Sequence, residues 1–266
     1  MSDTNGLNSF QDRMETIFQI VSKQGSARVA DLQDILGVSD MTIRRCLNAM
    51  ASDGLIRRVH GGAASIEGAE SRFMVMRNSL NANIKALLAD RAIGFIPENG
   101  SVYLDSGTTC FAVAKRLATS GKTITIITDS IKITRELQGV RNLTTTLLGG
   151  MLCDDMTTLD GPLTAEAAGR ITLDICLFSA DSFNAERLDN RYLAGAMTKK
   201  IVIARSDRSL CICDSSKYNK RCCFMFCGWD EVDMFLTDSY LPPKARRAIA
   251  EKGVEVHIVS EASESA

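Results

Sequence analysis

Proline is scarce. Four prolines in 266 residues leave little material for long extended linkers. Histidine is scarcer still: His60 and His257 are the only two. Five of the nine cysteines, Cys211, Cys213, Cys222, Cys223 and Cys227, fall close together with no histidine near them. Cys211 and Cys213 alternate inside an apolar, strand-like run. They read as small buried hydrophobes and reduced thiols rather than zinc ligands, and no metal or cofactor is expected. No apolar run approaches the length that spans a bilayer. Met1 to Asn8 is polar and lacks the apolar centre of a signal peptide. The expected location is therefore the cytoplasm, with no membrane partner. An excess of one charge sign is also missing, since the net charge is −1. Any nucleic-acid site must then be a local cluster of basic groups.

The chain does have the composition of a soluble globular protein, with 45% hydrophobic and 24% charged residues. Its length suits a small domain followed by a medium one. Met14, Ile17, Phe18 and Val21 recur at helical spacing, and Gly25 ends that helix. Val29, Leu32, Ile35 and Leu36 give a second short helix, stopped at Gly37. Ser39 is a natural N-cap for a third, lined by Ile43, Leu47 and Met50 and closed at Gly54. Two short helices meeting at Gly37-Val38-Ser39 have a helix-turn-helix layout. The run from Leu55 to Ala63 then reads as a strand, a glycine turn and a returning strand, a small wing.

Residues 1–64 are expected to form this winged unit and 65–81 a linker whose start, Ser65 to Ser71, is small and polar. The remainder, 82–266, alternates apolar runs with helical stretches. The runs are Ser101–Leu104, Thr125–Ile127, Thr145–Leu148, Ile175–Phe178, Leu210–Cys213, Val232–Leu236 and Val254–Val259. A helix carrying Ile84, Leu87, Leu88 and Phe95 precedes them. This pattern predicts an α/β domain built on a mostly parallel sheet.

Thr42, Arg44, Arg45 and Asn48 face away from the apolar stripe of the third helix. Arginine can pair bidentately with guanine, asparagine with adenine, and threonine can meet a phosphate or a thymine methyl. Arg57, Arg58 and His60 on the wing would lie where backbone phosphates run. With Ser39 at the cap, these eight residues are the candidate duplex-reading set. In the larger domain Asp105-Ser106-Gly107-Thr108-Thr109 joins a strand to a helix N-terminus, where outward N–H groups and the helix dipole favour an anion. Thr128, Gly149, Gly150, Asp181 and Lys217 follow other strands and should converge on the same sheet edge. Aspartates accept bonds from sugar hydroxyls, and Lys217 can neutralise a phosphate.

Val38-Ser39-Asp40-Met41-Thr42-Ile43-Arg44-Arg45, followed by Gly54-Leu55-Ile56-Arg57-Arg58-Val59-His60-Gly61-Gly62-Ala63, resembles the DNA-binding signature of DeoR-family bacterial regulators. Arg77, Lys85, Asp105 to Thr109, Gly149-Gly150, Gly161-Pro162-Leu163, Ala180-Asp181 and Asp214 to Lys217 resemble that family's sensor domain, which is related to ribose-5-phosphate isomerases and coenzyme A transferases. The resemblance runs from about Arg13 to Asp238. It implies a regulator, a repressor in the first instance, of a carbohydrate operon. Its partners would be double-stranded operator DNA, a phosphorylated sugar or polyol effector, and further copies of itself in a dimer or tetramer.

Three departures stand out. Cys46, expected to be half-buried, replaces the family's usual Asp. Asp129 replaces a common Asn. Ala194 and Gly195 stand where an acidic residue is expected before Lys199. The alternatives are an isomerase-like enzyme, which has no need of the DNA module, and a DNA-binding scaffold without a ligand.

Overall fold

The structure, a computed structural model, describes residues 10–69, 72, 76, 81–153, 157–220 and 222–260. Met1 to Asn8, Arg77 and the far C-terminal end of the larger domain lie outside the described residues. The chain divides into two compact units, Met1–Arg77 and Asn78–Ala266.

In the first unit helix α1 spans Phe10–Gln24, β1 Ser26–Arg28, α2 Val29–Leu36, α3 Asp40–Ser52, β2 Arg57–Val59 and β3 Gly62–Ala64. Ser39 caps α3, its hydroxyl accepting from the Thr42 N–H at 3.4 Å. Gly37 ends α2 in the left-handed region (φ 65°), and its N–H donates to Gln33 O. Met14, Ile17, Phe18, Val21, Leu32, Ile43, Leu47 and Met50 are all buried in one core. Each such side chain contributes roughly 1.5–3 kcal/mol. Two expectations need correction. Ile35 is 55% exposed, because Val29, Leu32 and Leu36 already fill the inward face of α2. Cys46 is fully buried, one turn from both Ile43 and Met50. The wing also holds a strand that was not expected: β1 pairs with β3, giving the order β1-β3-β2. Beyond the wing, Ala69 is buried in this same core and Arg72 donates to Gly54 O at 3.0 Å. The segment read as linker therefore begins by packing on the first unit.

The second unit opens with α4, Ala82–Ala92, which passes into a 3-10 turn at Ile93–Phe95 rather than continuing as one helix. Then follow β4 Ser101–Leu104, α5 Thr108–Leu117, β5 Ile124–Thr128, α6 Ile131–Leu137 and β6 Leu143–Leu147. Next come β7 Met151–Leu152, β8 Leu159–Asp160, α7 Pro162–Gly169, β9 Ile175–Phe178, β10 Ser182–Phe183 and β11 Arg187–Asn190. The chain ends with α8 Leu193–Ala204, β12 Ser209–Ile212, β13 Phe224–Gly228, β14 Met234–Asp238, α9 Pro243–Ala250 and β15 Glu255–Val259.

Seven strands form one sheet in the order β15-β14-β12-β9-β4-β5-β6, every pair parallel. Period-two alternation sends Val102, Leu104, Ile175 and Leu177 to one core, and Tyr103, Cys176 and Phe178 to the core on the other face. The order reverses at β4: the chain runs outward through β5 and β6, then returns to β9 on the other side. In such sheets the usual ligand position is beyond the carboxyl ends of the strands at the reversal, here β4 and β9. Two smaller sheets, β7-β8 and β10-β11-β13, are additions that the sequence did not announce.

Candidate functional site

On α3 the helical repeat places Arg44, Arg45 and Asn48 on the exposed side, with Thr42 half-buried beside them. Thr42 Oγ1 lies 3.0 Å from Ser39 Oγ, so both hydroxyls hold the helix start. Arg44 pairs with Asp40 one turn earlier, which raises the guanidinium's pKa and lowers that of the carboxyl. Arg45 stacks on the Phe10 ring, its guanidinium carbon 4.9 Å from the centroid. Both arginines are thereby oriented before any duplex arrives. On the wing Arg57 and His60 are exposed, while Arg58 is half-buried and donates to Gly62 O at 3.0 Å. Arg58 thus fastens the wing turn. Met41 is 80% exposed in the first turn of α3.

In the second unit the loop Asp105–Gly107 leads into α5, whose N-cap is Gly107 with no side-chain cap. The first-turn N–H groups are thus free of any capping side chain. Thr108 and Thr109 are buried there, and the Thr109 hydroxyl has no hydrogen-bond partner. Asp105 is 1% exposed. One of its oxygens accepts from the Ser179 N–H at 3.1 Å, and the other pairs with the Lys199 ammonium. Lys199, 7% exposed on the inner face of α8, was not among the expected site residues. Burial pushes its pKa down, but the charges of Asp105, Asp129 and Asp181 outweigh that and leave it raised. The clue in the sequence was a lysine among Ala196, Val202 and Ile203 on one helical stripe.

Asp129, just past β5, is buried as well. Desolvation first, then the Asp105 charge, raise its carboxyl to about 7. The buried Tyr103 hydroxyl faces the Asp129 carboxyl, and burial followed by the Asp129 and Asp105 charges raises its pKa. Lys217 Nζ donates to Ser179 Oγ at 2.8 Å and to Ala180 O at 2.7 Å, which holds it just past the carboxyl end of β9. Asp181 accepts from the Arg191 N–H at 3.1 Å. Asp214 accepts from Asn81 Nδ2 at 3.1 Å.

Three expected residues also hold parts of the fold together. The Thr128 hydroxyl donates to Leu104 O at 2.6 Å and accepts from Ser130 N at 3.1 Å, which joins the ends of β4 and β5. Gly149 O accepts from Thr164 Oγ1 at 2.7 Å. A Cβ on Gly150 would lie 1.9 Å from Thr164 Oγ1 and 2.8 Å from Asp160 O. That glycine is needed where the β7-β8 hairpin meets α7. Asp105, Lys199, Lys217 and the start of α5 thus lie at the carboxyl ends of β4 and β9, and Gly149-Gly150 is tied to the hairpin.

A family model described as the DeoR-like helix-turn-helix domain matches residues 13–69. A second, described as the DeoR C terminal sensor domain, matches residues 80–239. An uncharacterized HTH-type transcriptional regulator from Haemophilus influenzae is 30% identical over 93% of this chain and 97% of its own length. The L-fucose operon activator of the same organism is 28% identical over 88% of this chain and 94% of its own. The transcriptional repressor AccR of Agrobacterium fabrum is 28% identical over 87% and 91%. Among solved structures, ribose 5 phosphate isomerase A from Neisseria gonorrhoeae aligns over 55% of either chain, with 23% identity and a TM-score of 0.40. Among the described residues no helix is long and apolar enough to cross a membrane.

Proposed function

The chain belongs to the DeoR family of helix-turn-helix transcription regulators, and from that premise we propose that it is a cytoplasmic repressor of a carbohydrate operon, released from its operator by a phosphorylated sugar or polyol. It acts as a homo-oligomer and catalyses no reaction. The observation that carries the effector reading is the uncapped start of α5 beside two lysines at the sheet's reversal point. A phosphate there would meet the N–H groups of the first turn at Thr108 and Thr109, with Ser106 and Gly107 leading in. Lys217 supplies counter-charge from the β9 side. The sugar hydroxyls would face Asp105 and Asp181. In the first unit Arg44, Arg45 and Asn48 read bases, while Ser39, Thr42, Arg57, Arg58 and His60 set the helix and wing on phosphates. One relative is named as an activator and another as a repressor, and repression is our choice between them.

The test is calorimetry against a panel of sugar phosphates and the corresponding free sugars. A phosphorylated compound should bind and its free sugar should not. Thr108→Ala and Lys217→Ala should each weaken that binding at least tenfold. A hit indifferent to both substitutions would place the pocket elsewhere, and an empty panel would favour a scaffold without a ligand.

A further inference from the structure

Strands β4 and β5 are parallel neighbours, and Leu104 opposite Thr128 is their last paired position. Asp105 and Asp129 follow those two residues directly. Neighbouring strands lie about 4.8 Å apart, so two carboxyl groups leave the sheet edge next to each other. Both residues are buried. The Lys199 ammonium of α8 pairs with Asp105. With Asp129 protonated, the charges of Asp105 and Lys199 cancel. With Asp129 ionised, the three groups together carry one net negative charge inside the protein.

We propose that Asp129 is a proton-carrying residue of the effector site, so that the chain takes up one proton together with its phosphorylated effector. The proposal deepens the effector reading and rests on it. In that reading the sugar hydroxyls face Asp105 and the phosphate lies at the start of α5. A phosphate monoester is close to a dianion above pH 7, since its second ionisation lies at about pH 6. Bringing that charge up to Asp105 favours the neutral form of the carboxyl beside it. Burial and then the Asp105 charge have already raised Asp129 to about 7, so the proton is within reach at neutral pH. At a fixed effector concentration, occupancy then rises as pH falls.

The groups around Asp129 leave that proton to it. Tyr103 of β4 is raised by burial, then by Asp129 and Asp105. Cys110 of α5 is raised by burial, then by Asp105. Lys199 is raised and stays charged. Strand β8 meets Asp129 through the backbone, the Leu159 N–H donating to Asp129 O at 2.8 Å, and α6 starts beyond it at the Ser130 cap. One further group of the region is brought to about 7: Cys213, past β12, whose thiol burial raises while the Cys211 hydrogen bond and the Lys217 charge lower it by more. Its sulfur accepts from the Ala180 N–H at 3.1 Å, past the end of β9 rather than β5.

The experiment is calorimetry on the full chain with the panel of sugar phosphates, at pH 6 and pH 8, in buffers of different ionisation enthalpy. The dependence of the heat on the buffer counts the protons taken up. At pH 8 the wild type should take up about one proton per effector bound, and Asp129→Asn, neutral at every pH, should take up almost none. The ratio of the wild-type Kd to the Asp129→Asn Kd should rise about tenfold from pH 6 to pH 8. Titration of the ligand itself acts on both proteins alike and cancels in that ratio. Cys213→Ser should keep the wild-type uptake. Thermal melts confirm folding, and Asp129→Ala is a second neutral variant. Effector binding without proton uptake in the wild type overturns the proposal, as does uptake retained by the neutral variants or lost in Cys213→Ser. Folded neutral variants that both fail to bind would show that the ionised carboxylate is needed, and overturn it too. A panel without a hit on any of these proteins at either pH removes the effector reading and the proposal with it, whereas a hit without uptake removes the proposal alone.

Discussion

Asp129 and Asp105 are both buried near Lys199, and ionising Asp129 there works against burial and the neighbouring Asp105 charge. Burial and the Asp105 charge raise the Asp129 carboxyl from 3.8 to about 7. In the unfolded chain the same group gives up its proton near pH 4. Between those values the folded state binds more protons than the unfolded one. The contribution of Asp129 is therefore fully present below about pH 4 and is lost as pH rises through about 7. Asp129→Asn removes that loss. Thermal melts at pH 5 and pH 8 should show the variant more stable than wild type at pH 8, by about 2–4 kcal/mol, with a smaller gap at pH 5. Parallel pH profiles for the two proteins would contradict the assignment. The sequence made Asp105 visible as part of a strand-to-helix loop. Lys199 stayed invisible as its partner because 94 residues separate the two. Only the return of the chain from β6 to β9, followed by α8, brings them together.

Arg44 is held by Asp40 and Arg45 by Phe10, while Asn48 stands exposed one turn further along the same side of α3. Arg44→Ala and Asn48→Ala should each cost about 1–3 kcal/mol of specific operator binding wherever that side chain makes a bidentate base contact. Arg57→Ala should weaken binding to every duplex alike and reduce the salt slope by about one unit. Titrations on operator and scrambled duplexes at two salt concentrations separate these outcomes. Equal losses on both duplexes for Arg44→Ala would take it off the base-reading face.

At the scale of elements, the wing depends on close backbone approach. A Cβ on Gly62 would lie 2.2 Å from Ala27 O and 3.1 Å from the Arg28 Cα. Both are backbone atoms, so β1 and β3 would have to part. Gly62→Ala should destabilise the first unit by about 1–3 kcal/mol. It should also weaken binding to operator and scrambled duplexes together, because Arg57 and His60 would lose their mounting. A Gly62→Ala protein with wild-type melting and duplex affinity would show that the wing does not need this contact. The hairpin β2-β3 was legible from the glycine turn between two short runs. Strand β1 was not, because Ser26-Ala27-Arg28 carries no alternation and exists through its pairing with β3. The same contrast holds in the larger unit. The five inner strands of the parallel sheet appear in the sequence as apolar runs, since both of their faces are covered, whereas the edge strands β6 and β15 carry threonine or charge and are only partly covered. The antiparallel strands β7, β8, β10 and β11 do not appear as such runs, because the first three are only two residues long and β11, Arg187–Asn190, is mostly polar.

For the molecule as a whole, binding of effector and operator must be linked if the chain regulates at all. A ligand shifts an equilibrium only by its difference in affinity for the two states. If a sugar phosphate weakens operator binding by some factor, operator DNA must weaken sugar-phosphate binding by the same factor. Couplings of this kind are typically about 5–150-fold, or about 1–3 kcal/mol. The measurement is the sugar-phosphate Kd by calorimetry, with and without saturating operator duplex, set against the operator Kd with and without saturating effector. The two ratios should agree. Substitution of Lys199 by methionine should lower both ratios together, since that ammonium joins α8 to Asp105. Removing one partner of a buried pair also destabilises the fold by about 3–5 kcal/mol, so the comparison belongs well below the variant's melting temperature. A Lys199→Met protein that binds both ligands with the wild-type ratios would place the coupling outside α8. A wild type whose two ligands bind without affecting each other would reduce the second unit to an assembly domain, and any control of the operon would then come from another source.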